Sequence, residues 1–189
     1  MNAKVRIGGN AFGYPMPVAI VGAVVSGKPN YMTAAWLSRV NYEPPLLGVA
    51  ISKRHHTGKG IRQHREFGIS VPGRDLAEAA DYVGLVSGAA VDKSRLFERH
   101  PGSLAHAPLV AACPFLMECR LAQIVELPSN DFYIGEIVAA YCDEKALTEG
   151  VPDPEKLRPF LLTMPDNQYW GLGERLGKAW SIGKGYRTT

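Results

Sequence analysis

The stretch PVAIVGAVVSGKPNYMTAAW, Pro17 to Trp36, decides the fold. Its first part, Pro17 to Val25, is apolar and rich in β-branched side chains, and it stops at the turn formers Ser26-Gly27-Lys28-Pro29-Asn30. That is the pattern of a buried strand followed by a tight turn. Tyr31 to Val40 resumes as a second strand, and Pro44-Pro45 introduces a third over Leu46 to Ile51. Three strands in sequence joined by short turns predict an antiparallel meander.

Working outward, Thr57 to Arg65 reads as a short exposed helix, because its apolar residues are sparse, and Phe67 to Val71 returns to strand character. Arg74 to Val86 places Leu76, Ala79, Ala80 and Val83 on one helical face, with Asp75 and Glu78 near the start where the helix dipole favours acids. Leu116 to Leu127 and Phe132 to Ala140 are further strands, separated by the turn-like Pro128-Ser129-Asn130-Asp131. Pro152, Pro154, Pro159 and Pro165 mark a segment expected on the surface. The helices are too few to cross over between successive parallel strands. The expected class is mostly β with flanking helices, arranged as an antiparallel barrel with the helices packed outside.

The chain of 189 residues has no polar linker dividing it, so one domain over residues 1–189 is expected. Apolar residues at 46% and charged residues at 21% are ordinary globular values, which excludes a disordered or fibrous chain. The net charge of +3 is modest and its basic residues are dispersed, which argues against a nucleic-acid partner. Cys113, Cys119 and Cys142 lack CxxC spacing and read as free thiols in a reducing compartment. The longest apolar run is too short to span a bilayer and the N-terminus has no signal-peptide pattern, so a cytoplasmic protein without membrane contact is expected.

The most basic short stretch, ISKRHHTGKGI from Ile51 to Ile61, follows directly on the third strand. Lys53 and Arg54 offer charged donors, Ser52 and Thr57 offer hydroxyls, and a helix starting near Thr57 aims backbone N–H groups at the same point. Together these suit a phosphate. His55 and His56 are adjacent and point apart, and no nearby acid completes a ligand set, so they read as solvent-exposed rather than metal-bound. No GxSxG elbow is present. Gly171 to Gly177, GLGERLG, imitates a dinucleotide fingerprint, but its last glycine is one place late and too little chain follows for a βαβ unit. In Asn30-Tyr31-Met32-Thr33-Ala34-Ala35-Trp36, small residues allow close backbone approach to a flat ligand, with Trp36 and Asn30 as aromatic and amide edges.

In this order and spacing, the chain resembles the flavin reductase-like, FMN-binding split-barrel family that includes the flavoredoxins. The landmarks are Pro17 to Val21, Asn30 to Trp36, Glu43 to Leu46, the strand end running to Thr57, Gly84 to Gly88, Asp92-Lys93, Ala107 to Leu109, Glu118-Cys119 and Gly135 to Ile137. Tyr169 to Gly173 and Ala179 to Gly183 complete them. The resemblance implies a homodimer of six-stranded antiparallel split β-barrels, with FMN near the interface. It implies that Met32, Thr33, Ala34, Ala35 and Trp36 face the flavin ring with Asn30 at its polar edge, that Ser52, Lys53, Arg54 and Thr57 hold the phosphate, and that Lys93 lies close to the flavin. It also implies an oxidoreductase that passes electrons from NADH or NADPH through flavin to an acceptor. The alternative is a flavoredoxin-type carrier that works with a redox partner protein and does not oxidise NAD(P)H.

Overall fold

Ser26 and Gly27 both adopt positive φ, 50° and 76°, the pair of left-handed residues that a two-residue hairpin requires. Strands β1 (Ala19–Val25) and β2 (Lys28–Ala34) leave this turn antiparallel, with Val25 opposite Lys28 and Ala19 opposite Ala34. The turn is therefore tighter than the run of turn formers predicts, and Pro29 and Asn30 lie inside β2. Pro29 is tolerated there because β2 is an edge strand, with β1 as its single neighbour in the sheet. The structure, a computed structural model, describes residues 3–187.

Five more strands complete the main sheet: β3 (Leu37–Asn41), β4 (Leu46–Ser52), β5 (Glu66–Val71), β6 (Phe115–Glu126) and β7 (Asn130–Cys142). Their order is β2-β1-β5-β6-β7-β4-β3, and every neighbouring pair is antiparallel. β2 and β3 occupy opposite edges, yet only Ala35 and Trp36 separate them in the chain. The sheet must curl until its edges meet, and Ala50 N–H donates to Trp36 O at 2.8 Å, carrying the β3–β4 ladder up to the bend. Counted as one bent strand, Lys28–Asn41 gives the expected six-stranded split barrel. The meander holds with a bend in it: the predicted second strand pairs with the first up to Ala34 and with the third only from Leu37 on.

Alternation along the strands divides the apolar residues between two clusters. Ala19, Val21 and Ala23 point into the barrel with Val49, Ile51, Phe67, Ile69 and Tyr133. Val18 and Ile20 face outward, where Tyr31, Ala80, Val83, Leu109, Leu116 and Phe160 cover them. β1 is buried on both faces, which is why it reads as an unbroken apolar run. Burying Ile20 or Val21 stabilises the fold by about 1.5–3 kcal/mol each.

Helix α1 (Thr57–His64) closes one end of the barrel instead of lying exposed, with Thr57, Gly58, Gly60 and Ile61 buried. Glycines make this possible: a Cβ on Gly60 would collide with the Val24 carbonyl, and one on Gly58 would lie 2.8 Å from the Tyr133 hydroxyl. Helix α2 (Ala77–Leu85) follows a 3-10 turn over Arg74–Leu76 and buries Ala80 and Val83 against the outer face. Further on, Phe160–Thr163 pairs with Gln168–Gly171, and buried Phe160 anchors the proline-rich segment to the outer core. Among the described residues no α-helix follows the glycines of the false fingerprint, only a 3-10 turn over Ile182–Gly185.

Cys113 and Cys119 are buried, Cys142 is half-buried, and all three are free. Burial pushes the Cys113 and Cys119 thiols up to about 12. Among the described residues no helix is long and apolar enough to cross a membrane.

Candidate functional site

At the end of β4 the chain folds back on itself. The Ser52 carbonyl accepts from His55 N–H at 2.9 Å and its hydroxyl oxygen accepts from Arg54 N–H at 3.4 Å, which delivers the chain into α1. His56 stands at the N-cap but gives the first turn no side-chain hydrogen bond, and that turn holds no acid. The positive end of the helix is thus left uncompensated by its own residues. The buried Thr57 hydroxyl accepts from Asn30 Nδ2 at 2.7 Å, which leaves its own proton free to be donated.

Beside this turn lies Lys93, only 3% exposed. Its ammonium donates to Tyr31 O at 2.9 Å and Val83 O at 2.8 Å, so two of its three N–H groups are used. Among the described residues no carboxylate pairs with it, and burial holds its pKa below the ordinary lysine value. A cavity of about 220 Å³ opens here, lined by Asn30, Met32, Arg54, Thr57, Ser87 and Lys93 among others, with no acid in its wall. A second cavity of about 250 Å³ shares Asn30, His56, Gly88 and Lys93 with the first. Its one acid, Asp92, is paired with Lys28 at 2.7 Å on the surface. Gly88 lets the 84–93 segment close over Asn30, since a Cβ there would collide with Asn30 Oδ1.

The structure brings Asn30, Met32, Arg54, Thr57 and Lys93 to one cavity and places the other expected residues around it. Ser52 lies behind the wall as the turn's hydrogen-bond acceptor. Lys53 turns away: its ammonium is 2.9 Å from Asp131 Oδ1, and its N–H donates to Ser129 O at 3.0 Å. Arg62 takes the other oxygen of Asp131 at 2.8 Å and Glu126 at 2.9 Å. These contacts hold the Asp131 carboxyl below the usual carboxylate range, the Arg62 hydrogen bond first and Lys53 after it, against the opposing effect of burial. The Thr33 hydroxyl is bonded to the Ala80 carbonyl and so ties β2 to α2. Ala34 is buried and Ala35 half-buried at the seam; Trp36 is 44% exposed, its ring 6.2 Å from that of Phe12.

Two groups of residues go beyond what the sequence singled out as the site. His55 and His56, expected in solvent, are half-buried and line the first cavity, as do Val86, Ser87 and Gly88. The Gly84 to Gly88 landmark was the available signal for the latter. Nothing in the sequence marked the histidines, because adjacent histidines on a loop are ordinarily solvated.

Comparison with known proteins fits this geometry. The family described as Flavin reductase like domain matches residues 11–169. The chain belongs to that family. Among solved structures, flavoredoxin from Methanosarcina acetivorans shares 47% sequence identity and superposes with a TM-score of 0.94, over 97% of this chain and 98% of that one. Flavoredoxin of Desulfovibrio vulgaris (Miyazaki F) shares 34% identity, with a TM-score of 0.90 over 96% of this chain and 100% of that one. An uncharacterized protein of Archaeoglobus fulgidus is 31% identical over 145 residues, 74% of this chain and 79% of that one. Every cavity residue named above lies inside the span matched by the flavin reductase like domain.

Proposed function

We propose that this chain is an FMN-binding oxidoreductase, a flavin reductase that passes electrons from NADH or NADPH to a further acceptor. The observation that carries the reading is Lys93: a buried ammonium with no acid partner, facing an acid-free cavity at the uncompensated start of a helix. Such a site wants an anion. Membership of the flavin reductase like domain family, and likeness to flavoredoxins, support the phosphate of FMN as that anion.

When bound, FMN supplies a ring able to accept a hydride or single electrons, which is why no acid–base dyad is required of the protein. Arg54, Thr57 and Lys93 hold the phosphate, and Asn30 orients the Thr57 hydroxyl. Ser52 fixes the turn that presents Arg54, and Lys53, held by Asp131, adds positive potential from further away. The cavity is too small for a whole flavin, so Met32 and the run Thr33, Ala34, Ala35 and Trp36 offer the adjoining apolar surface for the ring. Trp36 at the end of this run is exposed, as are Tyr42, Trp170 and Trp180 elsewhere in the chain. Exposed aromatic surface of this kind supports a homodimer in which a second copy covers the ring.

The flavoredoxin-type carrier is the second reading, favoured by the 47% identity to a flavoredoxin. In it, electrons are exchanged with a protein partner and NAD(P)H is not oxidised. Visible spectra of FMN-reconstituted protein under anaerobic conditions separate the two. The reductase reading expects rapid bleaching of the flavin bands by NADH or NADPH. Bands that bleach with dithionite but with neither nucleotide would replace it with the carrier.

A further inference from the structure

His56 lines both cavities, and the phosphate reading above gives it no role. Its Nδ1 is sealed from solvent with no hydrogen-bond partner in reach, so Nε2 is the ring nitrogen open to the surroundings. A proton on Nδ1 would be a buried donor without an acceptor, a costly arrangement, so the neutral ring keeps its hydrogen on Nε2. Charging the ring would require that same buried donor.

The neighbours oppose charging as well. Burial, then Lys59 on α1 and Lys93 in the wall of the same cavity, hold His56 below the ordinary imidazole value. His55 is lowered in the same sense by burial, Lys93 and Arg54. From β2 the facing group is the neutral amide of Asn30; the first cavity has no carboxylate, and the one in the second, Asp92, is paired with Lys28. His56 is therefore held toward its neutral form, among cations.

We propose that His56 selects for phosphate in this pocket, donating one hydrogen bond from Nε2–H to an oxygen of the flavin's phosphate. The inference rests on the FMN reading and adds to it a residue that discriminates FMN from riboflavin, the same ring without the phosphate.

The test is fluorescence titration of FMN and of riboflavin against wild type, His56→Leu and His56→Gln, with ¹⁵N NMR of the His56 ring. Losing a hydrogen bond to a charged acceptor should shrink the preference for FMN over riboflavin by about tenfold in His56→Leu. In His56→Gln the amide nitrogen reaches the place of Nε2, and most of the preference should return. The spectrum should show the Nε2–H tautomer in the free protein at neutral pH. A preference that survives His56→Leu unchanged, or a hydrogen found on Nδ1, would overturn this role while leaving the FMN reading intact. A wild type that binds FMN no better than riboflavin would overturn the phosphate site itself.

Discussion

Asp131 and Lys93 are both buried charges within reach of the loop between β4 and α1, and they are treated oppositely. Asp131 has Lys53 on one oxygen and Arg62 on the other. Lys93 has two backbone carbonyls and no acid. A charge neutralised inside the fold belongs to the fold; one left without a counter-charge is stabilised only when a ligand brings it. The difference separates two lysines that look alike in sequence. Lys53 ties β4 to the start of β7 and so fixes the loop, whereas Lys93 faces the cavity that the loop closes.

The largest effect expected from this contrast is on stability. Asp131→Ala leaves the Lys53 and Arg62 charges facing each other and should lower the unfolding free energy by about 2 kcal/mol; both cations retain contact with water, which keeps the loss below that of a fully buried pair. Lys93→Met removes a desolvated charge but also the donor to the Tyr31 and Val83 carbonyls, so FMN-free protein should lose less stability than Asp131→Ala does. Urea unfolding of both variants without flavin checks the order. If Lys93→Met proves the more destabilised, Lys93 is structural and the contrast fails.

A smaller effect lies in the pH dependence, where the two groups act at opposite ends of the scale. The folded pKa of Asp131 is depressed, so its contribution is present above the unfolded value of about 3.9 and is lost as pH falls through the folded value. The folded pKa of Lys93 is depressed too, but for a cation this is a burden on the free protein. Between its folded value and the unfolded value of about 10.4 the unfolded chain binds more protons, so stability rises with pH across that window. Any stability advantage of FMN-free Lys93→Met over wild type should therefore shrink as pH rises toward 10. Thermal melts of both proteins across that range measure it, and a constant difference would contradict the assignment.

The barrel was legible in the sequence because its information is local. β1 announces itself by being apolar on both faces, and the β6–β7 hairpin by the turn formers before Asp131. The seam was less legible: nothing in Ala35-Trp36 says that the chain crosses there from one sheet edge to the other, since closure follows from pairing with β4 and β1 together. α1 was misread as exposed because glycine and threonine, rather than large apolar residues, make its buried face. In the site, Arg54 and Thr57 were found by their charge, their hydroxyl and their place at a strand end. The separate roles of Lys53 and Lys93 were hidden, because they depend on where Asp131, Tyr31 and Val83 fall in space. The position of His56 depends likewise on the approach of the 84–93 segment.

The most direct test of the central claim, that Lys93 is the counter-charge of a bound phosphate, is the affinity of Lys93→Met for FMN and for riboflavin at neutral pH. The account predicts an FMN affinity lowered by about 100-fold, the loss of a charge-assisted bond together with its Coulomb attraction, and a riboflavin affinity changed little. An equal loss for both flavins, or no loss for either, would contradict it.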